Sequence, residues 1–351
     1  MRILLTGHHG YIGSVTAPVL LGAGHDVVGL DTRYYEGCDL LEDRATIPEL
    51  RRDVRDVSSA DLRGFDAVVH LAGLSNDPLG DLDRELTLAI NSGATVALAQ
   101  AAKEAGVGRF VFASSCSMYG AAADGAPVDE SAPLQPLTAY AESKARSEEA
   151  LADLADDDFA PIFMRNATAY GVSPRMRLDL VLNNLVGWAH TTGAVRILSD
   201  GTPWRPLVHI EDISRATAAI LAAPVEQVSG EAFNVGLDTE NHQVRDLAEI
   251  VKETVGDCEV EYAGTGDPDA RSYRVDFGKF ARAFPDSGLD WSARAGAREI
   301  LDAYRAVGLT RTEFEGDRYI RLKRLRLLLD KHALDDELRW RADAPVVFDD
   351  P

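Results

Sequence analysis

The sequence predicts an α/β fold: a doubly wound parallel sheet with a smaller α/β lobe on its C-terminal side. Short apolar stretches alternate with longer helical stretches through the first half of the 351-residue chain, a pattern that favours βαβ units. A glycine-rich turn, Gly7 to Gly13, lies directly between the first apolar stretch and the first helical stretch. Asp31 ends the second apolar stretch, at the edge of the sheet where proteins of this class bind ligands.

The elements of the first half follow in chain order. Short apolar runs predict strands at residues 3–5, 26–30, 67–71, 109–112 and 160–164. The longer stretches between them predict helices that end near Leu21, span 82–105 and run from Tyr140 to about Leu154. Right-handed crossovers between consecutive parallel strands then place helices on both faces of the sheet.

The pattern changes after about Gly171. We predict helices at 178–190, 212–222, 244–255, 277–284 and 293–307, and strands at 195–198, 232–235 and 259–262. A loop containing Pro203 and Trp204 separates two of these elements. We therefore predict three parts. The sheet domain comprises residues 1–170, to which 208–236 return. The smaller lobe comprises 171–207 and 237–308, and the extension comprises 309–351.

The extension is basic and amphipathic between Thr310 and Trp340. Its apolar residues Ile320, Leu325, Leu328 and Leu329 are surrounded by six basic residues, Arg318, Arg321, Lys323, Arg324, Arg326 and Lys331. A basic amphipathic helix can bind a membrane or a partner protein. Because the rest of the chain is acidic, we expect this helix to pack on its own acidic body or on a sister subunit.

Composition and charge argue against several classes of protein. The net charge of −21 argues against nucleic acid as a partner, since phosphate contacts need a basic surface. No apolar run approaches the roughly 18 residues of a membrane span, and no leader sequence precedes the first strand, so no membrane association is expected. The three cysteines Cys38, Cys116 and Cys258 are widely separated, which indicates neither disulfides nor zinc and favours a cytoplasmic protein. The acidic bias fits a salt-adapted host and GC-rich codon usage equally well.

The glycine turn has the residues that nucleotide binding needs. Gly7, Gly10 and Gly13 allow a tight turn and close approach to a pyrophosphate, and the helix that follows stabilises negative charge at its N-terminus. The carboxylate of Asp31 is placed to accept hydrogen bonds from ribose hydroxyls and would repel a 2′-phosphate, so NAD is favoured over NADP. Arg33, two residues on, would weaken that preference.

Tyr140 and Lys144 form a second chemical motif. They are four residues apart on a predicted helix and therefore share one face. An ammonium beside a phenol favours the phenolate and lowers the tyrosine pKa, which makes the pair an acid–base device.

Together these motifs resemble the extended short-chain dehydrogenase/reductase family, and more closely its NAD-dependent nucleotide-sugar epimerases and dehydratases. The likeness covers residues 1 to about 308. Further matches occur in the family's order, at Asp53-Val54, His70 to Gly73, Asn91, Ser114 to Gly120, Arg165 to Gly171, and Asp200 to Asp212.

The resemblance implies that the sheet domain is an NAD-binding Rossmann domain and that the smaller lobe binds substrate. The implied catalytic residues are Ser115, Tyr140 and Lys144. The implied cofactor contacts are Gly7, Gly10, Tyr11, Ile12, Gly13, Asp31, Asp53, Val54, Leu71, Ala72, Gly73, Asn91, Ser114, Tyr140 and Lys144. The implied substrate contacts are Ser75, Ser117, Asn166, Thr168, Asn183, Asn184, Arg205 and Arg271, with Arg205 on the diphosphate.

Three positions depart from the family pattern. Dehydratases of this family carry acidic residues directly after the catalytic hydroxyl, whereas this chain has Cys116 and Ser117. Dehydration is therefore not expected, although a thiol at 116 leaves open an acid–base role beside a ketone. Thr168 replaces the usual asparagine before Tyr-Gly and indicates a subgroup with its own substrate. The histidines show no paired ligand spacing, so no metal is expected.

The residues and the resemblance together predict an NAD-dependent nucleotide-sugar epimerase that acts, through a transient keto sugar, at C4. Its substrate is a nucleotide-diphosphate sugar, and the resemblance implies a homodimer formed by the helices at 82–105 and 140–154. A nucleotide-sugar dehydrogenase or ketoreductase with the same residues remains an alternative, as does a dinucleotide-binding module without turnover. One sequence leaves the base, the sugar and the inverted carbon open.

Overall fold

The computed structural model describes residues 1–42, 45–75, 83–121, 126–262 and 271–342. The strands, in chain order, are β1 (Arg2–Thr6), β2 (Asp26–Asp31), β3 (Glu49–Arg51), β4 (Ala67–His70), β5 (Arg109–Ser115), β6 (Pro127–Val128), β7 (Ala160–Asn166), β8 (Thr168–Tyr170), β9 (Ala194–Ile197), β10 (Trp204–His209), β11 (Ala232–Val235), β12 (Asn241–Gln243), β13 (Glu259–Tyr262) and β14 (Arg274–Val275). Seven of them form one parallel sheet in the order β11-β7-β5-β4-β1-β2-β3, which confirms the predicted fold class.

The helices, in chain order, are α1 (Gly13–Gly22), α2 (Ser59–Leu62), α3 (Arg84–Leu88), α4 (Ala94–Glu104), α5 (Ala139–Ala152), α6 (Val181–Thr192), α7 (Ile210–Ala222), α8 (Val225–Val228), α9 (Val244–Val255), α10 (Gly278–Ala283), α11 (Ala293–Val307), α12 (Arg311–Glu315) and α13 (Arg321–Asp330). Alternate residues of each strand point to opposite faces of the sheet. In β1, Ile3 and Leu5 pack with α1 and α7, while Leu4 packs with α4 and α5. The sheet is therefore covered by an apolar core on each face.

The strand order reverses beside β1, and this reversal positions the site. From β1 the chain proceeds through β2 and β3 to one side, and then through β4, β5 and β7 to the other. Loops that leave the carboxyl ends of neighbouring strands in opposite directions open a crevice there. The glycine turn after β1 lies at this point.

A second apolar core is formed by α6, α9, α11 and short strands, together with Tyr11 and Leu40 from the first part of the chain. The predicted loop around Pro203 and Trp204 is wrong in part, because Trp204 begins β10. This strand pairs with β12 on one side and β8 on the other. Pro206 lies within this strand, and proline disfavours a strand because it has no backbone N–H to donate to a neighbouring strand. Here β10 forms nevertheless, because it pairs with a strand on each side.

The helix predicted at 82–105 is interrupted. Residue 82 lies outside the described residues, and a π-helical turn (Ala89–Gly93) separates α3 from α4. Such turns are often found at functional sites. Here the turn carries Asn91.

The C-terminal extension packs on its own chain as far as residue 342, and residues 343–351 lie outside the described residues. Leu325 and Leu328 of α13, with Leu334 and Leu338 beyond it, form an apolar cluster against Tyr34 and other residues of the sheet domain. None of the helices in the described ranges has the length and apolar character that a bilayer span requires.

Candidate active site

A cavity of about 780 Å³ opens at the carboxyl ends of β1, β2, β4 and β5. It extends from Asp31 and Asp53, past the glycine turn, to Tyr140 and Arg271. Most of the residues predicted for the cofactor and the substrate line it, so residues that are distant in sequence meet in one space. Its volume is within the range of cavities that bind organic ligands.

The glycine turn forms one wall of the cavity. Gly7 has φ +72°, and a Cβ there would lie 2.8 Å from the backbone nitrogen of Ala72. A Cβ on Gly13 would lie 2.2 Å from the carbonyl oxygen of Gly7, so a side chain at either position would force the turn apart. Gly10, Tyr11 and Ile12 line the cavity at the start of α1, where backbone N–H groups and the helix dipole favour an anion.

Asp31 is held at the far end of the cavity by backbone donors. Its carboxylate accepts hydrogen bonds from the backbone N–H groups of His9 (3.1 Å) and Arg33 (2.6 Å). The guanidinium of Arg33 is paired with Glu36 and Glu49. The charge of Arg33 is therefore neutralised by two carboxylates. In this geometry Arg33 gives no reason to expect a weaker preference for NAD over NADP.

His8 and His9 converge on the same carboxylate of Glu49, at 3.0 and 2.8 Å. Among the described residues, this is the one group of three side chains with the spacing of metal ligands. Its carboxylate is already shared with the cation of Arg33, which would repel a metal dication. The sequence spacing alone did not reveal this cluster, because Glu49 lies on a different strand.

Tyr140 and Lys144 both line the cavity from one face of α5, as the i, i+4 spacing predicts. Thr138 caps this helix by accepting a hydrogen bond from the backbone N–H of Ala141 (3.2 Å). The buried Nζ of Lys144 donates to the carbonyl of Ala113 (2.7 Å) and lies 5.7 Å from the centroid of the Tyr140 ring. Burial lowers the pKa of Lys144 to about 8.

The electrostatics of Tyr140 differ from the sequence prediction. Burial raises the pKa of its phenol, because the charged form loses solvation. A hydrogen bond with the Ser115 side chain and the charge of Arg177 act in the opposite direction. We predicted that Lys144 would lower the pKa of Tyr140. In this geometry the groups that lower it are Ser115 and Arg177, and the sequence motifs did not indicate the arginine.

The residues after β5 separate into one that faces the cavity and one that does not. Ser117 lines the cavity, and its buried Oγ has no hydrogen-bond partner within the described ranges. Cys116 is fully buried behind the wall and donates from Sγ to the carbonyl of Arg165 (3.0 Å). Burial raises the pKa of the Cys116 thiol, so the acid–base role left open by the sequence has no support here.

Polar side chains of the smaller lobe surround the opposite end of the cavity. Arg205 and Arg271 both line it, and Arg205 Nη1 donates to the backbone carbonyls of Trp204 (2.8 Å) and Arg271. Thr168 lies on the same lining, as does Asn166, whose buried Oδ1 has no partner in the part of the chain that the structure describes. A diphosphate at the arginines and a polar group at Asn166 fit this end.

Two predicted contact residues lie behind the cavity wall. The side-chain amide of Asn91 accepts a hydrogen bond from the backbone N–H of Leu74 (2.7 Å) and donates one to the carbonyl of Leu74 (2.9 Å). Asn183 donates to the hydroxyl of Tyr11 (3.0 Å) and to the carbonyl of Arg177 (2.9 Å), whereas its neighbour Asn184 does line the cavity. The predictions of direct contact for Asn91 and Asn183 are therefore not supported, because both side chains are used to hold the wall.

The remaining predicted residues line the cavity as expected. These are Val54, Leu71, Ala72, Gly73, Ser75, Ser114 and Ser115. Sequence reasoning missed the cavity-lining residues Tyr34, Tyr35, Arg177, Tyr273 and Arg321. A single sequence contains no spacing signal for these five, since each belongs to a loop, short strand or extension whose position depends on tertiary packing.

Comparison with known proteins shows what the chain is similar to. Residues 3–236 match the family described as the NAD dependent epimerase/dehydratase family. The chain is 31% identical to a UDP-glucose 4-epimerase of Corynebacterium glutamicum over 76% of this chain and 85% of that protein. It is 27% identical to a UDP-glucose 4-epimerase of Bacillus subtilis over 87% and 96% of the two chains.

Two solved structures are also similar to this chain. MoeE5 in complex with UDP-glucuronic acid and NAD has a TM-score of 0.75 and 27% identity, covering 87% of this chain and 99% of that one. DesIV, a dTDP-glucose 4,6-dehydratase of Streptomyces venezuelae with NAD bound, has a TM-score of 0.76 and 27% identity, covering 89% and 100%.

Proposed function

Because the chain belongs to the NAD-dependent epimerase/dehydratase family, we propose that it epimerises a nucleotide-diphosphate sugar at C4 through a transient keto sugar. The observation that carries the proposal is the convergence of Ser115, Tyr140 and Lys144 in one cavity with the glycine turn. The two residues after Ser115 supply no carboxylic acid. This favours epimerisation over the dehydration named for DesIV.

The residues present fit NAD as the cofactor. The glycine turn offers N–H groups to a diphosphate, and the carboxylate of Asp31 lies where ribose hydroxyls would be bound. Asp53 and Val54 line the same end, and Ser114, Tyr140 and Lys144 line the other. When bound, NAD supplies a nicotinamide ring that accepts the carbinol hydrogen of the sugar as hydride and returns it.

Tyr140 is proposed to remove the proton from the sugar hydroxyl and to return it after the sugar has turned. Ser115 hydrogen-bonds the same hydroxyl and stabilises the phenolate, which favours proton transfer. Lys144, fixed by the carbonyl of Ala113, is placed to bind the ribose next to the nicotinamide. The Oγ of Ser117 and the Oδ1 of Asn166 are buried groups without partners among the described residues, and both suit sugar hydroxyls.

The substrate's diphosphate is proposed to bind Arg205 and Arg271. Epimerisation requires that the nucleotide stay anchored while the hexose presents its other face, so a firm diphosphate site beside a looser sugar site is needed. UDP is the nucleotide we propose, because the named relatives act on UDP-glucose. The division into a Rossmann domain at 1–170 with 208–236 and a substrate lobe at 171–207 with 237–308 remains part of this proposal.

A panel of nucleotide sugars in deuterated water tests the function directly. Incubation with UDP-, GDP-, CDP- and dTDP-hexoses, read by NMR, should give the C4 epimer of one UDP-sugar with no solvent deuterium on the ring. Consumption of NAD in proportion to sugar would instead indicate a dehydrogenase or ketoreductase. Binding of NAD without turnover of any sugar would favour the non-catalytic module.

A homodimer and a cytoplasmic location complete the proposal. The family resemblance supports pairing through the helices at 82–105 and 140–154, and sedimentation equilibrium would measure it. Cys38, Cys116 and Cys258 are all free and buried, which agrees with a reducing compartment.

A further inference from the structure

The C-terminal extension places a buried arginine in the wall of the cavity. Arg321, the first residue of α13, is 2% exposed and lines the cavity. Its Nη2 donates to the carbonyl of Arg175 (2.8 Å), and its guanidinium lies 4.1 Å from the centroid of the Tyr35 ring. Its Nη1 has no hydrogen-bond partner within the described ranges. Arg321 therefore brings to the cavity wall a buried cation with an N–H group that no described residue accepts, and such a group calls for an anionic acceptor.

Arg177 lies on the same part of the wall. Its guanidinium is paired with Asp179 at 2.8 Å, and its Nη1 donates to the hydroxyl of Ser75 (3.0 Å). Arg177, Asp179 and Arg321 all line the cavity, so this wall carries two positive charges and one negative charge. The excess of positive charge stands out in a chain whose net charge is −21.

Hydrogen bonds connect the chain segment that carries Arg177 to Tyr11 of the glycine turn. Asn183 donates both to the side-chain hydroxyl of Tyr11 and to the backbone carbonyl of Arg177, so it joins the Tyr11 side chain to the backbone at Arg177. Ser173 also donates to the carbonyl of Tyr11 (2.8 Å). The segment that carries Arg177 is thus fastened onto the turn that receives the cofactor's diphosphate.

A second pair of cavity-lining arginines, Arg205 and Arg271, comes from a different part of the chain. Arg205 lies on β10, and Arg271 follows the segment 263–270, which is outside the described residues. Arg52, Lys144 and Arg196 line the cavity as well, so these two arginine pairs are part of a larger set of cations. The two proposed ligands carry one diphosphate each. Arg177 and Arg321 belong to the wall beside Tyr11 of the glycine turn, so this pair fits the diphosphate of the dinucleotide.

The extension is fixed to the adenosine end of the cavity by several hydrogen bonds. The indole N–H of Trp340 donates to the carbonyl of Thr32 (2.6 Å), and the hydroxyl of Tyr34 donates to the carbonyl of Leu338 (2.5 Å). Both Thr32 and Tyr34 line the cavity. With the apolar cluster around Leu325, these contacts hold the first turn of α13 over the cofactor site.

We propose that Arg321, together with Arg177, binds the diphosphate of NAD opposite the glycine turn, which makes the C-terminal extension part of the cofactor site. The match to the family ends at residue 236, so this contact comes from a part of the chain beyond the matched region. The inference requires that the chain bind NAD, and it does not require that the chain epimerise a sugar.

The test is the binding of cofactor fragments to nucleotide-free protein, measured by calorimetry and NMR titration. Arg321→Gln removes the charge and keeps most of the volume. Arg326→Gln is the matched control, because Arg326 lies on the exposed face of the same helix. ADP-ribose contains the diphosphate, and adenosine lacks it.

For Arg321→Gln we expect the Kd of ADP-ribose to rise about tenfold or more, in line with the loss of a charge-assisted hydrogen bond, and the Kd of adenosine to stay unchanged. Arg326→Gln should match the wild type for both ligands. Arg321→Lys, which keeps the charge without the planar fork, should recover part of the loss.

Equal affinity of wild type and Arg321→Gln for ADP-ribose would overturn the proposal. A parallel loss of adenosine binding would do the same, because it would show that Arg321 holds the fold of the site. If Arg321→Gln instead weakened UDP-glucuronic acid more than UDP-glucose and left ADP-ribose unchanged, the arginine would serve an anionic sugar group. Since ADP-ribose binding requires no turnover, a protein inactive on every sugar would still decide the question.

Discussion

The ammonium nitrogen of Lys144 lies 5.7 Å from the centroid of the Tyr140 ring and is held there by the carbonyl of Ala113. A backbone acceptor on β5, which cannot ionise, fixes the position of this charge. The two side chains therefore stay adjacent at any pH at which the sheet and α5 remain packed. What varies with pH is the protonation of each group, and that protonation determines whether the proposed chemistry can occur.

Replacing Tyr140 by phenylalanine should remove the proposed acid–base group without disturbing the cavity wall. We expect kcat/KM to fall by about 10²–10⁴-fold, the usual contribution of a positioned proton-transfer group, with the affinity for ADP-ribose unchanged. Tyr262→Phe is the matched control, because the Tyr262 side chain is 51% exposed and does not line the cavity. Wild-type activity in Tyr140→Phe would remove this residue from the mechanism.

Replacing Ser115 by alanine should change the pH dependence of the reaction. The hydrogen bond between Ser115 and Tyr140 lowers the pKa of the phenol, against the larger effect of burial. Its loss should move the ascending limb of kcat/KM to higher pH, since deprotonation of Tyr140 becomes harder. The measurement is a pH–rate profile of wild type and variant. A uniform loss of rate with an unmoved profile would mean that Ser115 acts on the substrate alone.

Replacing Lys144 by methionine should stabilise the protein at neutral pH while it impairs activity. Burial holds the pKa of Lys144 at about 8, below the ordinary 10.5, so below pH 8 the ammonium is charged in both states and the full cost of burying it is present. Between pH 8 and 10.5 the unfolded state binds more protons, and the stability of the wild type rises with pH.

The advantage of Lys144→Met should therefore be about 1–2 kcal/mol at pH 7, after allowance for the lost hydrogen bond to Ala113, and it should disappear at about pH 9 and change sign by about pH 10.5. Urea denaturation at pH 7, 9 and 10.5 measures the difference between the two proteins. A variant less stable than the wild type at pH 7 would show that the hydrogen bond outweighs the cost of burial.

Six of the seven strands of the sheet could be predicted from the sequence because they read as short apolar runs, whereas the edge strand β3 (Glu49–Arg51) is largely exposed, has no such run and was missed. The run predicted at 26–30, for example, is β2, Asp26–Asp31. β10 could not be predicted in this way, since Pro206 weakens its local signal and its stability comes from β8 and β12 on either side. Pairing between segments far apart in sequence is not visible in a local pattern.

The same distinction holds for the site. Gly7, Asp31 and Ser115 lie on or directly after strands whose carboxyl ends meet at one edge, so local motifs placed them near one another. Arg321 belongs to a helix that the sequence predicted to pack on the acidic body of the chain or on a sister subunit, without indicating which of its basic residues would be buried. Its burial depends on Tyr35 and on how the extension folds back, and neither is encoded by spacing.

Replacing Arg205 by glutamine should weaken binding of the nucleotide sugar. Arg205 lines the end of the cavity opposite Asp31, and its Nη1 also ties β10 to the backbone of Arg271. We expect KM for the UDP-sugar to rise about tenfold or more while kcat changes little, because the diphosphate is bound alike in the ground state and the transition state. Arg298→Gln on the exposed face of α11 serves as the control. A fall in kcat at unchanged KM would place Arg205 at the reacting sugar.

Replacing Cys116 by serine should leave the reaction intact, and this result separates hydride return from an enolisation mechanism. A thiol that shuttled a carbon-bound proton would have to reach the sugar, yet Cys116 is fully buried, does not line the cavity and donates to the carbonyl of Arg165. Its raised pKa also keeps it protonated at neutral pH. We therefore expect kcat/KM of Cys116→Ser to stay within about threefold of the wild type, as is usual for near-isosteric changes away from the chemistry.

Reactions run in deuterated water should give a product without ring deuterium for both proteins. A loss above a hundredfold at an unchanged melting temperature, or deuterium at the inverted carbon, would require a proton-shuttling group in place of the simple return of hydride.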